Sequence, residues 1–156
     1  MLCRFLLLVS VASFAVLAQE YAGPRPPKSD LPYLKHADNL LPTETSEAKE
    51  EKAKNGDIVY AIAGPNSSAR TPLASPIFLL QTDKLIAGKL QLFKLVSRNG
   101  RREILFGAKK RPQPIRMDLT RLDSNLYRVE VNESLAPGEY SITPEGSNQV
   151  FCFQVF

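Results

Sequence analysis

The sequence predicts an all-β protein with an irregular N-terminal leader, and three observations carry that prediction. Beyond residue 57 the chain falls into short extended runs broken by Gly, Pro, Asn and Asp, and no window sustains a 3.6-residue apolar period. Asn99-Gly100 stands between two such runs, and this dipeptide suits a two-residue hairpin, whose central positions both need positive φ. Phe151, Phe153 and Val155 alternate along the final run, which puts large apolar side chains on one face of a closing strand.

Residues 1–18 read as a secretory signal peptide. Arg4 supplies the positive region, residues 5–17 the apolar run, and Val16-Leu-Ala18 the small-residue cleavage pattern. The apolar run is about 13 residues, short of the roughly 20 that a membrane-spanning helix needs. The protein is therefore expected to be exported, periplasmic or extracellular, with no transmembrane anchor. Cys3 lies in the signal segment, so Cys152 is the one cysteine expected in the mature chain, and the fold must hold by burial with no internal disulfide. Alternation turns Cys152 away from Phe151 and Phe153, into a second packed layer or onto the surface, where it would be open to an intermolecular disulfide.

Residues 19–56 read as a leader rich in proline, charge and small polar side chains, partly disordered or docked. Within it, Thr43 can cap a helix, and the Glu-to-Lys pairs that follow have helical spacing. With almost no apolar face, residues 43–54 are expected to form a solvated or partly formed helix. Leu31, Tyr33, Leu34, Leu40 and Leu41 are the leader's apolar points, available to dock on the sheet or on a partner.

The strands follow from residue 57 onward. Residues 58–63 form the first, ended by Gly64-Pro-Asn-Ser-Ser68, and residues 77–82 after Pro76 are continuously apolar, as a buried strand is. Residues 90–96 and 102–106 should pair antiparallel across the Asn99-Gly100 turn. Residues 115–119 and 127–131 alternate on either side of Asp123-Ser-Asn125, each with one wet face. Pro137-Gly138 turns the chain into residues 139–142, and a second turn returns it along residues 150–156. About 7–8 strands at roughly 8 to 14 residue spacing suit a two-sheet antiparallel sandwich of roughly 100 residues, spanning 57–156. It is immunoglobulin-like in architecture alone, because the chain has no tryptophan; a small β-barrel is the runner-up.

Pro137-Gly-Glu-Tyr140 followed by Ser147-Asn-Gln-Val-Phe-Cys-Phe153, the segment Leu31-Pro-Tyr-Leu-Lys-His-Ala-Asp-Asn39 and Asn99-Gly-Arg-Arg-Glu103 resemble a group of small exported bacterial proteins of unassigned function. The resemblance spans most of the mature chain. It implies the compartment and the β fold, and brings no activity and no catalytic or binding residue with it.

Charge divides the chain. Residues 19–57 hold 6 Lys/Arg and 8 Asp/Glu, whereas residues 58–156 hold 13 and 8. The excess gathers in Lys94, Arg98, Arg101, Arg102, Lys109, Lys110, Arg111 and Arg116, which stand against the single acid Glu103. Such a strip offers contact to an anionic envelope polymer or lipid head groups. The plainer alternative is a set of cations that keep turn tips soluble and block edge pairing. No run of aromatics alternates with these cations, so nucleic acid is not expected as a partner.

Chemistry-bearing patterns are sparse. His36 and Asp38 offer two metal ligands where a stable site needs three or four, and His36 is the sole histidine, so neither a metal nor a catalytic imidazole is expected. Asp118 and Glu130 fall on the outward faces of adjacent strands, but Arg116 and Arg128 interleave there and make cross-strand ion pairing the simpler reading. No phosphate loop or dinucleotide fingerprint is present, and no cofactor is expected. The function expected is non-enzymatic, an interaction or structural module at the cell envelope or outside the cell, with an unknown protein or anionic polymer as partner. The alternative is a small ligand-binding or enzymatic domain with a pocket between leader and sheet.

Overall fold

Alternating apolar side chains give each strand a face to bury, and in the computed structural model, which describes residues 20–156, the strands bury those faces as two packed sheets. The signal-peptide reading of residues 1–18 lies outside the described residues. In chain order the strands are β1 (Tyr33–His36), β2 (Asn39–Pro42), β3 (Glu44–Glu47), β4 (Lys49–Lys52), β5 (Ile58–Ala63), β6 (Arg70–Thr71) and β7 (Ile77–Gln81). They continue with β8 (Leu90–Arg98), β9 (Arg101–Phe106), β10 (Met117–Arg121), β11 (Leu126–Val131), β12 (Gly138–Pro144) and β13 (Gln149–Val155). The smaller sheet has the order β10-β11-β7-β1-β2 and the larger β3-β13-β12-β8-β9-β5-β4. Pairing is antiparallel throughout except for β6, which adds two residues parallel to β13. Among the described residues no helix is long and apolar enough to cross a membrane.

The protein is thus an all-β sandwich. Leu34 of β1, Phe78 of β7 and Val129 of β11 pack against Leu92 of β8, Ile142 of β12 and Phe151, Phe153 and Val155 of β13. Phe78 meets Phe153 edge-on with ring centroids 5.1 Å apart, and Tyr140 stacks on Phe153 at 5.6 Å. The expected alternation along the last strand is what fills this core. Asn99 and Gly100 take φ of 51° and 73°, the two positive values that the β8–β9 hairpin turn needs.

The eight strands expected after residue 57 are all present, as β5 and β7 to β13. Four of the other five come from the segment read as a leader. There β1 pairs with both β2 and β7, β3 with β13, and β4 with β5, so strands within residues 33–52 pair with strands that follow residue 57. Upstream of β1 the chain is tied down as well. The Asp30 carboxylate accepts the N–H groups of Asp83, Lys84 and Leu85 at 2.9 to 3.1 Å.

The helix expected over residues 43–54 is corrected to the two strands β3 and β4. Residues Glu44–Glu47 pair with the edge of β13 and then, after Ala48 alone, residues Lys49–Lys52 pair with the edge of β5. One extended segment therefore satisfies the open N–H and C=O groups at both ends of a long sheet, a gain that outweighs a helix propensity of tenths of a kcal/mol per residue. It also forces the larger sheet to curl into a half barrel, while the domain as a whole is the sandwich and not the small β-barrel held as runner-up. Curling brings the second face of the sheet in on itself, where Ala48, Ile62, Leu95, Val150 and Cys152 form a separate apolar cluster.

Leu34 is fully buried in the sandwich core, while Leu41, on the edge strand β2, is 37% exposed. Leu34→Ala should lower unfolding free energy by about 2–5 kcal/mol. Leu41→Ala should change it by no more than about 0.5 kcal/mol. Urea denaturation of the two variants checks both.

Candidate functional site

Alternation turns one face of each strand of the larger sheet into the interior of the curl; the other face meets the sandwich core on β8, β12 and β13 and solvent on β9. The inward set includes Arg102, Ile104 and Phe106 on β9, Tyr60 and Ile62 on β5, Phe93 and Leu95 on β8, Glu139 and Ser141 on β12, and Val150 and Cys152 on β13. The interior is layered from a polar closed end, through an apolar middle, to an open mouth.

Arg102 closes one end. Its side chain is 1% exposed, and a guanidinium so buried needs acceptors for its fork of donors. Nη2 donates to Glu44 Oε1 at 2.6 Å and to the Ala63 carbonyl at 2.7 Å, Nη1 to Ser67 Oγ at 2.7 Å, and Nε to the Gly64 carbonyl at 3.0 Å. Ser67 in turn donates its N–H and hydroxyl to Glu139 Oε2 at 3.0 and 2.5 Å, and that oxygen stands 3.9 Å from Arg102 Nη1. Glu139 Oε1 is buried with no hydrogen-bond partner. Two carboxylates thus share one guanidinium.

Ile62, Leu95, Val150 and Cys152 form the middle layer. Burial pushes the Cys152 thiol up to about 12; Arg102 opposes the rise, and Glu44 and Glu139 add to it. A thiol held protonated in an apolar layer is a packing group rather than a nucleophile.

Beyond this layer the curl opens into a cavity of about 310 Å³. Tyr60, Phe93, Ile104 and Phe106 form its walls, and Glu50, Gln91, Thr143 and Asn148 its polar lining. Phe106 sits edge-on to Tyr60 and to Phe93, with centroids 5.4 and 5.7 Å apart, which makes a continuous aromatic wall. The Tyr60 hydroxyl donates to Glu50 Oε2 at 3.3 Å. Burial raises the Tyr60 phenol above its ordinary range, Glu50 adds to the rise and Arg111 opposes it. The volume lies at the lower end of the roughly 300–1,000 Å³ usual for small-molecule sites.

The cationic strip is not one surface. Arg102, expected among its contacts, is buried in the closed end instead, because neighbours on a strand face opposite ways and Arg101 takes the outward position. Arg101 pairs with Glu51 at 2.8 Å and Glu103 at 3.2 Å, and Arg98 lies 3.6 Å from Glu103. Lys94, Lys109, Lys110, Arg111 and Arg116 are exposed. Of the apolar points assigned to a partner, Tyr33 and Leu34 are buried and closed to any contact, Leu34 within the sandwich core, Leu31 and Leu40 are half-buried, and Leu41 alone is exposed. His36 Nε2 lies 2.9 Å from Thr71 Oγ1, and Asp38 is exposed. Asp118 and Glu130 do oppose each other, but Glu130 pairs along its own strand with Arg128 at 2.6 Å.

The cavity is built from residues that the sequence reading passed over as ordinary strand positions. A signal was present: β5 reads Ile-Val-Tyr-Ala-Ile-Ala, apolar on both faces, and such a strand must be covered on both. Comparison with protein-family models, with curated proteins and with solved structures finds no match.

Arg102→Met should cost about 3–5 kcal/mol in urea denaturation, since it strands Glu44 and Glu139 without their cation. Cys152 should stay unreactive to a disulfide reagent at pH 8 and react once urea unfolds the chain. The sign of its pH effect follows from the raised folded-state value: above about pH 9 the unfolded thiol ionises while the folded thiol stays protonated until about pH 12. Stability should therefore fall more steeply over that window in the wild type than in Cys152→Ala, as thermal melts at stepped pH would read.

Proposed function

We propose that this chain is an exported, non-enzymatic binding protein that takes a small apolar ligand into the mouth of its curled sheet. The observation that carries this reading is the cavity of about 310 Å³ between β4 and the rest of the larger sheet, walled by Tyr60, Phe93, Ile104 and Phe106 and open at one end. Packed interiors leave few voids larger than a water molecule, so unfilled space beside aromatic rings is suited to a guest. The site has the form of the pocket between leader and sheet that the sequence reading held as its alternative, since Ala48 and Glu50 line it. His36 and Asp38 take no part in it. The signal-peptide pattern of residues 1–18 and the resemblance to small exported bacterial proteins support export to the periplasm or the exterior.

The guest must be small, on the scale of one or two aromatic rings or a short alkyl chain. Its apolar part would meet the aromatic wall, and Gln91, Thr143 and Asn148 would orient a polar end. The hydroxyls of Ser141, Thr143 and Ser147 line the cavity with no histidine among its lining residues, and the protonated Cys152 thiol lies in the layer beneath. Retention and release, rather than conversion, are the chemistry that this lining allows.

Titration with the apolar fluorophore phenylnaphthylamine tests the reading. Saturable fluorescence enhancement is expected for the wild type. Ile104→Trp, which fills the cavity, should weaken binding about tenfold or more. Leu105→Trp, on the outer face of the same strand, should leave it unchanged. Absence of saturable binding, or equal binding by the Ile104 variant, would overturn it.

A further inference from the structure

Both ends of the connection between β9 and β10 are fixed at the mouth of the cavity. The connection leaves from Phe106, a wall residue, and returns at Ile115, whose N–H donates to the Leu92 carbonyl at 2.8 Å. Leu92 stands between Gln91 and Phe93, which both line the cavity. The first part of the connection is held against the turn that precedes β5, where the Asp57 carboxylate accepts the Ala108 N–H at 2.8 Å. Residues 107–114 therefore lie at the open end of the curl without lining the cavity itself, and they carry Lys109, Lys110 and Arg111 in succession, Arg111 close enough to Tyr60 to act on its phenol.

These cations differ from three arginines of the same strip and share their lack of an ion-pair partner among the described residues with Lys94 and Arg116. Arg98, Arg101 and Arg102 each have a carboxylate partner. Lys109, Lys110 and Arg111 are exposed, and none is within ion-pair distance of an acid among the described residues. The nearby Asp57 carboxylate is occupied by Asn55 Nδ2 at 2.7 Å and by the Ala108 N–H. Glu50 is the acid at the mouth itself, and it receives the Tyr60 hydroxyl. Three positive charges against the two carboxylates of Glu50 and Asp57 still leave the entrance net cationic, next to a wall of aromatic rings.

Resting on the cavity reading above, we propose that the ligand is a single-chain anionic amphiphile. Its apolar chain enters the curled sheet along Tyr60, Phe93 and Phe106, and its head group, a carboxylate or a phosphate monoester, meets Lys109, Lys110 and Arg111 at the mouth. The two parts of the site match the two parts of the molecule. An apolar chain gains by leaving water for the cavity, at roughly 0.8 kcal/mol per buried methylene. An anion gains charge-assisted hydrogen bonds from lysine and arginine donors while staying near water, so the cost of desolvating it is small. A neutral ligand of the same chain would use the cavity and leave the cations idle.

Competition against phenylnaphthylamine with three probes of equal chain length, octanol, octanoate and octyl phosphate, tests the proposal. The expected result is that at least one anion displaces the fluorophore at about a tenfold lower concentration than octanol. In Lys109→Gln/Lys110→Gln/Arg111→Gln this preference should vanish while octanol competes as before, and raising the ionic strength should shrink it in the wild type. The anion preferred in the wild type names the head group, and either one supports the proposal. Equal competition by all three probes, or an anion preference that survives the triple substitution, would overturn the head-group assignment and leave the cavity reading standing. Failure of every probe, octanol included, would overturn both. The substituted side chains are exposed, so a thermal melt within a degree or two of the wild type is expected for the triple variant.

Discussion

The buried guanidinium of Arg102 holds the larger sheet in its curl. It reaches from β9 to Glu44 on β3, to the carbonyls of Ala63 and Gly64 at the end of β5, and through Ser67 to Glu139 on β12. Ala63 and Gly64 stay beside it because β5 pairs with β9, but β3 and β12 are not neighbours of β9 and would move away if the sheet flattened. A cation inside a protein is costly unless its donors are met, so the contacts form together or not at all. That all-or-none character turns an edge segment of marginal intrinsic preference into a fixed wall. It also decides which end of the curl is shut and which is open.

Two apolar layers share the strands β8, β12 and β13, and they do different work. On the sandwich side, Tyr140 and Phe153 interlock with Phe78 of the smaller sheet, and this core gives the domain its stability without a disulfide at Cys152. On the inner side the packing thins from one end to the other. Ile62, Leu95, Val150 and Cys152 fill the middle, and beyond them the aromatic rings of Tyr60, Phe93 and Phe106 line space that no side chain occupies. A wall of rings held edge to face keeps its shape when empty, so a guest entering it meets a preformed surface and little ordering cost.

Much of the sheet was legible because its signals are local. Asn99-Gly100 states its own turn geometry, and the period-two pattern of residues 149–155 states which face is buried. Residues 43–54 misled for the same reason: their local preference is helical, and the reward for extending them comes from two strand edges supplied by residues 149–152 and 58–61. Tyr33 and Leu34 looked like docking points on an arm because nothing nearby in sequence shows that β7 waits to pair with them. Arg102 was misplaced by the company it keeps, one cation in a row of cations, when the pleat assigns alternate members of that row to opposite environments.

By itself the sequence determined an all-β chain, the hairpin of β8 and β9, the closing pair of β12 and β13 and the concentration of positive charge between residues 94 and 116. These rest on backbone preference and on side-chain periodicity, which act over a few residues. The tertiary structure alone decided that one nine-residue stretch, Glu44 to Lys52, would join two edges, that Arg102 would turn inward to meet it, and that a cavity would open at the far end beside Lys109, Lys110 and Arg111. Each of these depends on groups brought together from distant parts of the chain, and the energy that favours them, the satisfaction of open edges and of a buried charge, exists only once the sheet has formed.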